Sequence, residues 1–117
     1  MTTSNHSLNV GAHDGLINGS LLKKAALVFR AVNHPLRQKL LQLIHKHGRI
    51  IVTDIYTQLR IEQSVASQHL AILRKAGFVE ATRDGKRIYY AVVYTKLDHI
   101  HLIARQVTEM PNKEQSA

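Results

Sequence analysis

No cysteine occurs among the 117 residues, which excludes disulfides, thiolate metal sites and thiol redox sensing by this chain. Aromatic residues make up only 5% of it, and they do not stand in the stacking arrangement that readers of single-stranded RNA use. Apolar runs are short: none reaches the ~18 residues that a membrane-crossing helix needs. Acidic residues are scarce, 8 Asp and Glu against 16 Lys and Arg, leaving a formal net charge of +8. That excess suits an anionic partner, whether nucleic acid or an acidic membrane surface, and charge alone does not choose between them. Ser, His and Asp are present, but no nucleophile elbow, phosphate loop or metal-hydrolase motif accompanies them, so an enzyme is not expected. Residues 1–15 lack the charged-then-apolar order of a secretory leader, and a cytoplasmic location is the expectation.

The 44% of apolar residues is enough for one small core. Residues 1–15, rich in Ser, Thr, Asn, His and Gly, read as a flexible leader, 16–110 as a single domain and 111–117 as a flexible tail. From Leu16 the pattern becomes helical, with Leu21, Leu22, Ala25, Val28, Phe29 and Val32 at three- and four-residue steps. Pro35 suits the first turn of a second helix, whose stripe is Leu36, Leu40, Leu43, Ile44 and His47 and which Gly48 stops. A β-branched run over 50–52 precedes a short helix over 54–60, capped by Thr53 and burying Ile55 and Leu59. Ser64 is expected to cap the next helix, which runs to Ala76 and ends at Gly77. Strands over 78–83 and 87–94 flank an Asp84-Gly85 turn, and a Thr95/Asp98 capping box opens a last helix to about Glu109.

The predicted fold is mainly α with a small β-hairpin wing, in the order α-α-(β)-α-α-β-β-α. A short helix pair followed by a hairpin is the winged helix-turn-helix plan. Wound at about 100° per residue, the helix over 64–76 separates Val65, Ala66, Leu70, Ile72, Leu73 and Ala76 from an outer face of Ser64, Ser67, Gln68, Ala71, Arg74 and Lys75. Hydroxyl, amide and cationic groups around one small methyl suit base edges and phosphates. Gln63 stands at the head of that face, and Arg83, Lys86 and Arg87 at the hairpin tip are placed to grip phosphate. His69 falls on the apolar side and is expected to be packed or hydrogen-bonded. Of Tyr89 and Tyr90, which alternate faces, one is expected to pack inward.

In this order and spacing the pieces resemble the ArsR/SmtB family of bacterial repressors. The resembling stretch covers residues 32–93. It holds Asn33-His34-Pro35-Leu36-Arg37, Gln63-Ser64-Val65-Ala66-Ser67-Gln68-His69-Leu70, Leu73-Arg74-Lys75-Ala76-Gly77-Phe78-Val79 and the wing Arg83-Asp84-Gly85-Lys86-Arg87 with Tyr89-Tyr90. The resemblance implies a homodimer that binds a palindromic operator in double-stranded DNA and represses transcription, commonly until an inducer binds. It names no inducer for this chain.

Departures from the family pattern bear on metals. One family site takes Cys-x-Cys at the start of the helix before the recognition helix, where this chain has Ile51-Val52-Thr53. Another takes an Asp-x-His pair on the last helix and a second pair further along. His99-Ile100-His101 matches the first half, but Asn112 and Gln115, beyond Pro111, are weak ligands for the second. Both His45-Lys46-His47 and His99-Ile100-His101 are i,i+2 pairs, whose side chains point about 200° apart on a helix and cannot chelate one ion. No metal and no cofactor are expected; His99 and His101 are the candidates were one to bind.

The first helix is unusually apolar, and Leu97, Ile100, Ala104 and Val107 repeat along the last beside His101. One small core cannot cover both stripes. Leu21, Leu22, Ala25, Val28, Leu97, Ile100, His101, Ala104 and Val107 are therefore assigned to a two-fold dimer contact. The alternative reading, a winged-helix protein-interaction module without DNA binding, fits the polar outer face less well, because protein interfaces favour apolar and aromatic centres.

Overall fold

The computed structural model describes residues 15–111. The expected leader and tail lie outside the described residues, apart from Gly15 and Pro111. Five helices and three strands follow in the order α1 (Gly19–Val32), α2 (Pro35–His47), β1 (Ile50–Ile51), α3 (Val52–Leu59), α4 (Gln63–Lys75), β2 (Val79–Asp84), β3 (Arg87–Val92) and α5 (Tyr94–Thr108). All three strands form one antiparallel sheet in the order β1-β3-β2.

The helix stops fall where the sequence places them. Gly48 and Gly77 carry φ of 74° and 89°, a region open to glycine at little cost, and Pro35 occupies the first turn of α2. After α4 the N–H of Phe78 donates to the carbonyl of Leu73 at 2.9 Å, closing the helix in a Schellman-type turn.

The starts differ. Thr53, Ser64 and Thr95 are not caps: α3, α4 and α5 begin at Val52, Gln63 and Tyr94, behind Ile51, Glu62 and Val93, with no side-chain bond at any of the three caps. Extended backbone at the preceding residue (φ −77°, ψ 149° at Ile51, which pairs with Tyr89 in the sheet) sets the boundary instead. The capped helices are α1, where Asn18 Oδ1 accepts from the Leu21 N–H at 3.0 Å, and α2, where His34 Nδ1 accepts from the Arg37 N–H at 3.4 Å.

The strand boundaries shift as well. Asp84 pairs with Arg87, which makes Gly85-Lys86 the two-residue loop, and Tyr94 belongs to α5 rather than to a strand. The core lies where α2, α3, α4 and the base of the hairpin meet, with Leu40, Ile44, Ile55, Leu70, Leu73 and Phe78 at 0% exposure. His47 is exposed and Leu41 buried, so the inner stripe of α2 is Leu40, Leu41 and Ile44. Ile72, expected inside, is 39% exposed, whereas Ile100 is buried within its own chain.

Candidate nucleic-acid interface

Burial sets the orientation of α4. Ala66, Leu70 and Leu73 form a seam with no exposed surface, and turning the helix by one residue would carry that seam into water at about 1.5–3 kcal/mol for each leucine. With the seam inward, Gln63, Ser64, Ser67, Gln68, Ala71, Arg74 and Lys75 are all exposed and fill an arc of about 140°. Ser64 is the second residue of the helix rather than its cap, so its hydroxyl faces outward unspent. The polar side chains of this face make no hydrogen bond to another described residue. Their donors and acceptors are available to a partner.

The link from α3 to α4 is three residues long. Arg60 adopts the left-handed conformation (φ 58°, ψ 44°), which costs a residue with a Cβ about 1–2 kcal/mol. Its N–H donates to the Thr57 carbonyl at 3.2 Å and that of Ile61 to the Tyr56 carbonyl at 3.1 Å. Leu59 and Ile61 pack on the core and hold the turn. The result is a short helix crossing into α4, the geometry of a helix-turn-helix pair.

Val79 and Val92 pair and are buried at the base of the hairpin; towards its tip Arg83, Lys86 and Arg87 are exposed. Gly85 opens the loop with φ 66°, as a tight hairpin turn requires. The two tyrosines divide as expected: Tyr90 packs against the core, while Tyr89 lies under the Arg49 guanidinium, 3.6 Å from ring centre to carbon.

His69, on the inner flank of α4, is half-buried and hydrogen-bonded. Its Nδ1 accepts from Arg37 Nε at 3.1 Å, and its ring stands 4.8 Å from that of His34. Burial, then the charges of His34 and Arg37, hold its pKa below 6.5. The sequence offers His34 and Arg37 only as part of a family-like stretch, and their contact with His69 is not legible there because Arg37 lies 32 residues away along the chain.

The terminal helices leave apolar surface uncovered. Leu21, Leu22 and Val107 are 60%, 57% and 64% exposed, Ala25, Val28, Leu97 and Ala104 are partly buried, and His101 is exposed. Ile100 fills the chain's own core and adds nothing to that surface. Leu27 and Leu102 are exposed as well, but on faces of α1 and α5 turned away from the stripes read from the sequence. A cleft of about 360 Å³ opens beside α5 over Val32, Leu41, Val92, Leu97 and Ile100, and at its rim the Tyr94 hydroxyl meets His45 Nδ1 at 2.7 Å. Among the described residues no three His, Asp or Glu side chains gather as metal ligands.

Residues 34–81 match the family described as bacterial regulatory protein, arsR family. An HTH-type transcriptional regulator of Methanocaldococcus jannaschii is 36% identical over 78 residues, 67% of this chain and 88% of that protein. The transcriptional repressor PagR of Bacillus anthracis is 33% identical over 79 residues, 68% of this chain and 79% of its own. A homodimeric winged helix-turn-helix DNA-binding domain from Mycobacterium bovis superposes with a TM-score of 0.63 at 28% identity, covering 86% of this chain and 90% of that one. With its fold, motif order and α4 face in place, this chain belongs to the arsR family of bacterial regulatory proteins.

Proposed function

We propose that the chain is a sequence-specific transcriptional repressor that binds an inverted-repeat operator in double-stranded DNA as a homodimer. The observation that carries this is the exposed face of α4, six residues with free hydroxyl, amide or cationic groups around the Ala71 methyl, fixed outward by a fully buried seam. Ser64, Ser67, Gln68 and Ala71 face base edges in the major groove. Gln63, Arg74 and Lys75, with Arg83, Lys86 and Arg87 of the wing, take the phosphates. The PagR and Mycobacterium bovis relatives support the reading through the repression named for one and the homodimer named for the other.

Residues 16–110 work as one unit, with α1 and α5 supplying the two-fold contact through their uncovered apolar faces. Two-fold symmetry sets the recognition helices about 34–36 Å apart, one duplex turn. The protein acts in the cytoplasm, where the chromosome is, and performs no catalysis. A small-molecule inducer, where one acts, has to bind better to a dimer whose recognition helices are spaced differently.

Gln68→Ala tests the reading. It is expected to weaken operator binding by about 1–3 kcal/mol and leave binding to unrelated duplex nearly unchanged, measured by fluorescence anisotropy. Equal loss on both duplexes removes Gln68 from base reading.

A further inference from the structure

We propose that Arg37 is a positioning residue for the recognition helix: through its bond to His69 it ties α4 to the corner between α1 and α2, and a proton on His69 releases the tie. The inference rests on the reading of α4 as the DNA-contacting helix.

The geometry has two anchors. Arg37 Nη1 donates to the carbonyls of Arg30 and Ala31 at 3.3 Å each, the last turn of α1, whose carbonyls have no partner within the helix. Its Nε donates to His69 Nδ1 at 3.1 Å. The backbone N–H of the same residue donates to His34 Nδ1, so one residue closes the end of α1, the start of α2 and the inner flank of α4. His69 is followed on α4 by Leu70 and preceded by Gln68, one in the buried seam and one on the DNA face. The Arg37–His69 contact therefore steadies, at the flank next to Gln68, an orientation that the buried seam sets.

The protonation requirement follows from the donors. A guanidinium carries five N–H groups and no acceptor, so the nitrogen facing it has to offer a lone pair. His69 is thus neutral and protonated on Nε2. A second proton can enter only at Nδ1, where it replaces the acceptor with a donor aimed at a cation. The groups acting on His69 are His34 from the corner and Arg37 from α2, both repelling a positive ring. On its own helix the neighbours one turn away are Val65, Ala66, Ile72 and Leu73, none charged. No carboxylate of the described residues acts on it to offset that repulsion.

This produces a sign that other effects do not. Protonating exposed histidines adds positive charge and strengthens attraction to the phosphate backbone. Protonating His69 loosens α4 at the flank beside Gln68, while the seam still holds the helix, and weakens base reading.

The test compares wild type with His69→Asn and His69→Leu on operator and unrelated duplex from about pH 7.5 down to about pH 4.5, a range carried well below ordinary histidine titration because the surroundings of His69 lower its pKa. In His69→Asn the side-chain amide oxygen stands near the position of the imidazole Nδ1 and accepts from Arg37 without titrating. Wild type is expected to lose operator affinity on acidification by roughly ten-fold, the scale of one hydrogen bond to a charged group. His69→Asn is expected to keep the wild-type affinity at the higher pH and lose the acid-driven fall, and His69→Leu to be weak throughout. Equal pH profiles for wild type and His69→Asn overturn the proposal while leaving the DNA-binding reading intact; absence of operator preference in wild type at the higher pH overturns that reading instead. A readout without DNA is the tautomer of His69 from its imidazole nitrogen shifts. A proton on Nδ1 at neutral pH contradicts the bond itself, and one on Nε2 supports it.

Discussion

Truncating Leu22 to alanine tests the dimer with little risk to the protomer. Leu22 sits on α1 with 57% of its surface exposed, so within one chain the substitution opens no cavity, and alanine is the stronger helix former. Removing three carbon groups forfeits about 2.4 kcal/mol where burial is complete, at ~0.8 kcal/mol per group. Only the part that the chain leaves uncovered is available to a partner, which scales the loss to about 1.4 kcal/mol. A two-fold interface uses each residue twice, so the dimer loses about 2.7 kcal/mol, or ~100-fold in its dissociation constant. Sedimentation equilibrium of wild type and Leu22→Ala measures that shift, and far-UV circular dichroism checks that the protomer keeps its helices. A dissociation constant unchanged within about three-fold refutes the placement of α1 in the interface, and a wild type that is monomeric at micromolar concentration refutes the dimer itself.

Three further expectations follow from single features. Gly77→Ala forces a Cβ onto a residue at φ 89°; the nearest atoms, on the Lys96 side chain, are 3.7 Å away, so the cost is conformational, about 1–2 kcal/mol in urea denaturation. Because the folded chain holds His69 below its ordinary 6.5, the unfolded chain takes up that proton more readily; stability is full above about pH 6.5 and falls as the pH drops below it, and His69→Asn flattens this part of the pH–stability curve. If the five cations of each protomer assigned to phosphate all reach it, the slope of log affinity against log salt is about −9 for the dimer, and Lys86→Ala makes it shallower by about 2; a slope near zero contradicts phosphate contact.

Periodicity carried the reading of α4 because Ala66, Leu70 and Leu73 repeat on one side and, Ile72 apart, every outward residue is polar or small. The stops at Gly48 and Gly77 were legible for a local reason, since a left-handed residue favours glycine. The starts were not. Ile51 and Val52 read as strand from β-branching alone, yet Val52 turns into α3 because Ile51 is held extended by its pairing with Tyr89. Which apolar stripe the chain covers by itself is likewise a property of the assembled fold. Ile72 and Ile100 look alike in sequence, and only the packing buries the second and leaves the first in view. The bond from Arg37 to His69 joins residues 32 apart and no local pattern announces it.

Selection of bound duplexes from a random pool, with wild type and Gln68→Ala side by side, tests most directly whether the outward face of α4 reads bases. Wild type is expected to enrich an inverted repeat with half-site centres about 10 base pairs apart, and the variant to relax the preference at one symmetric pair of positions. A pool that stays random with wild type, or one enriched identically by both proteins, contradicts base reading by α4.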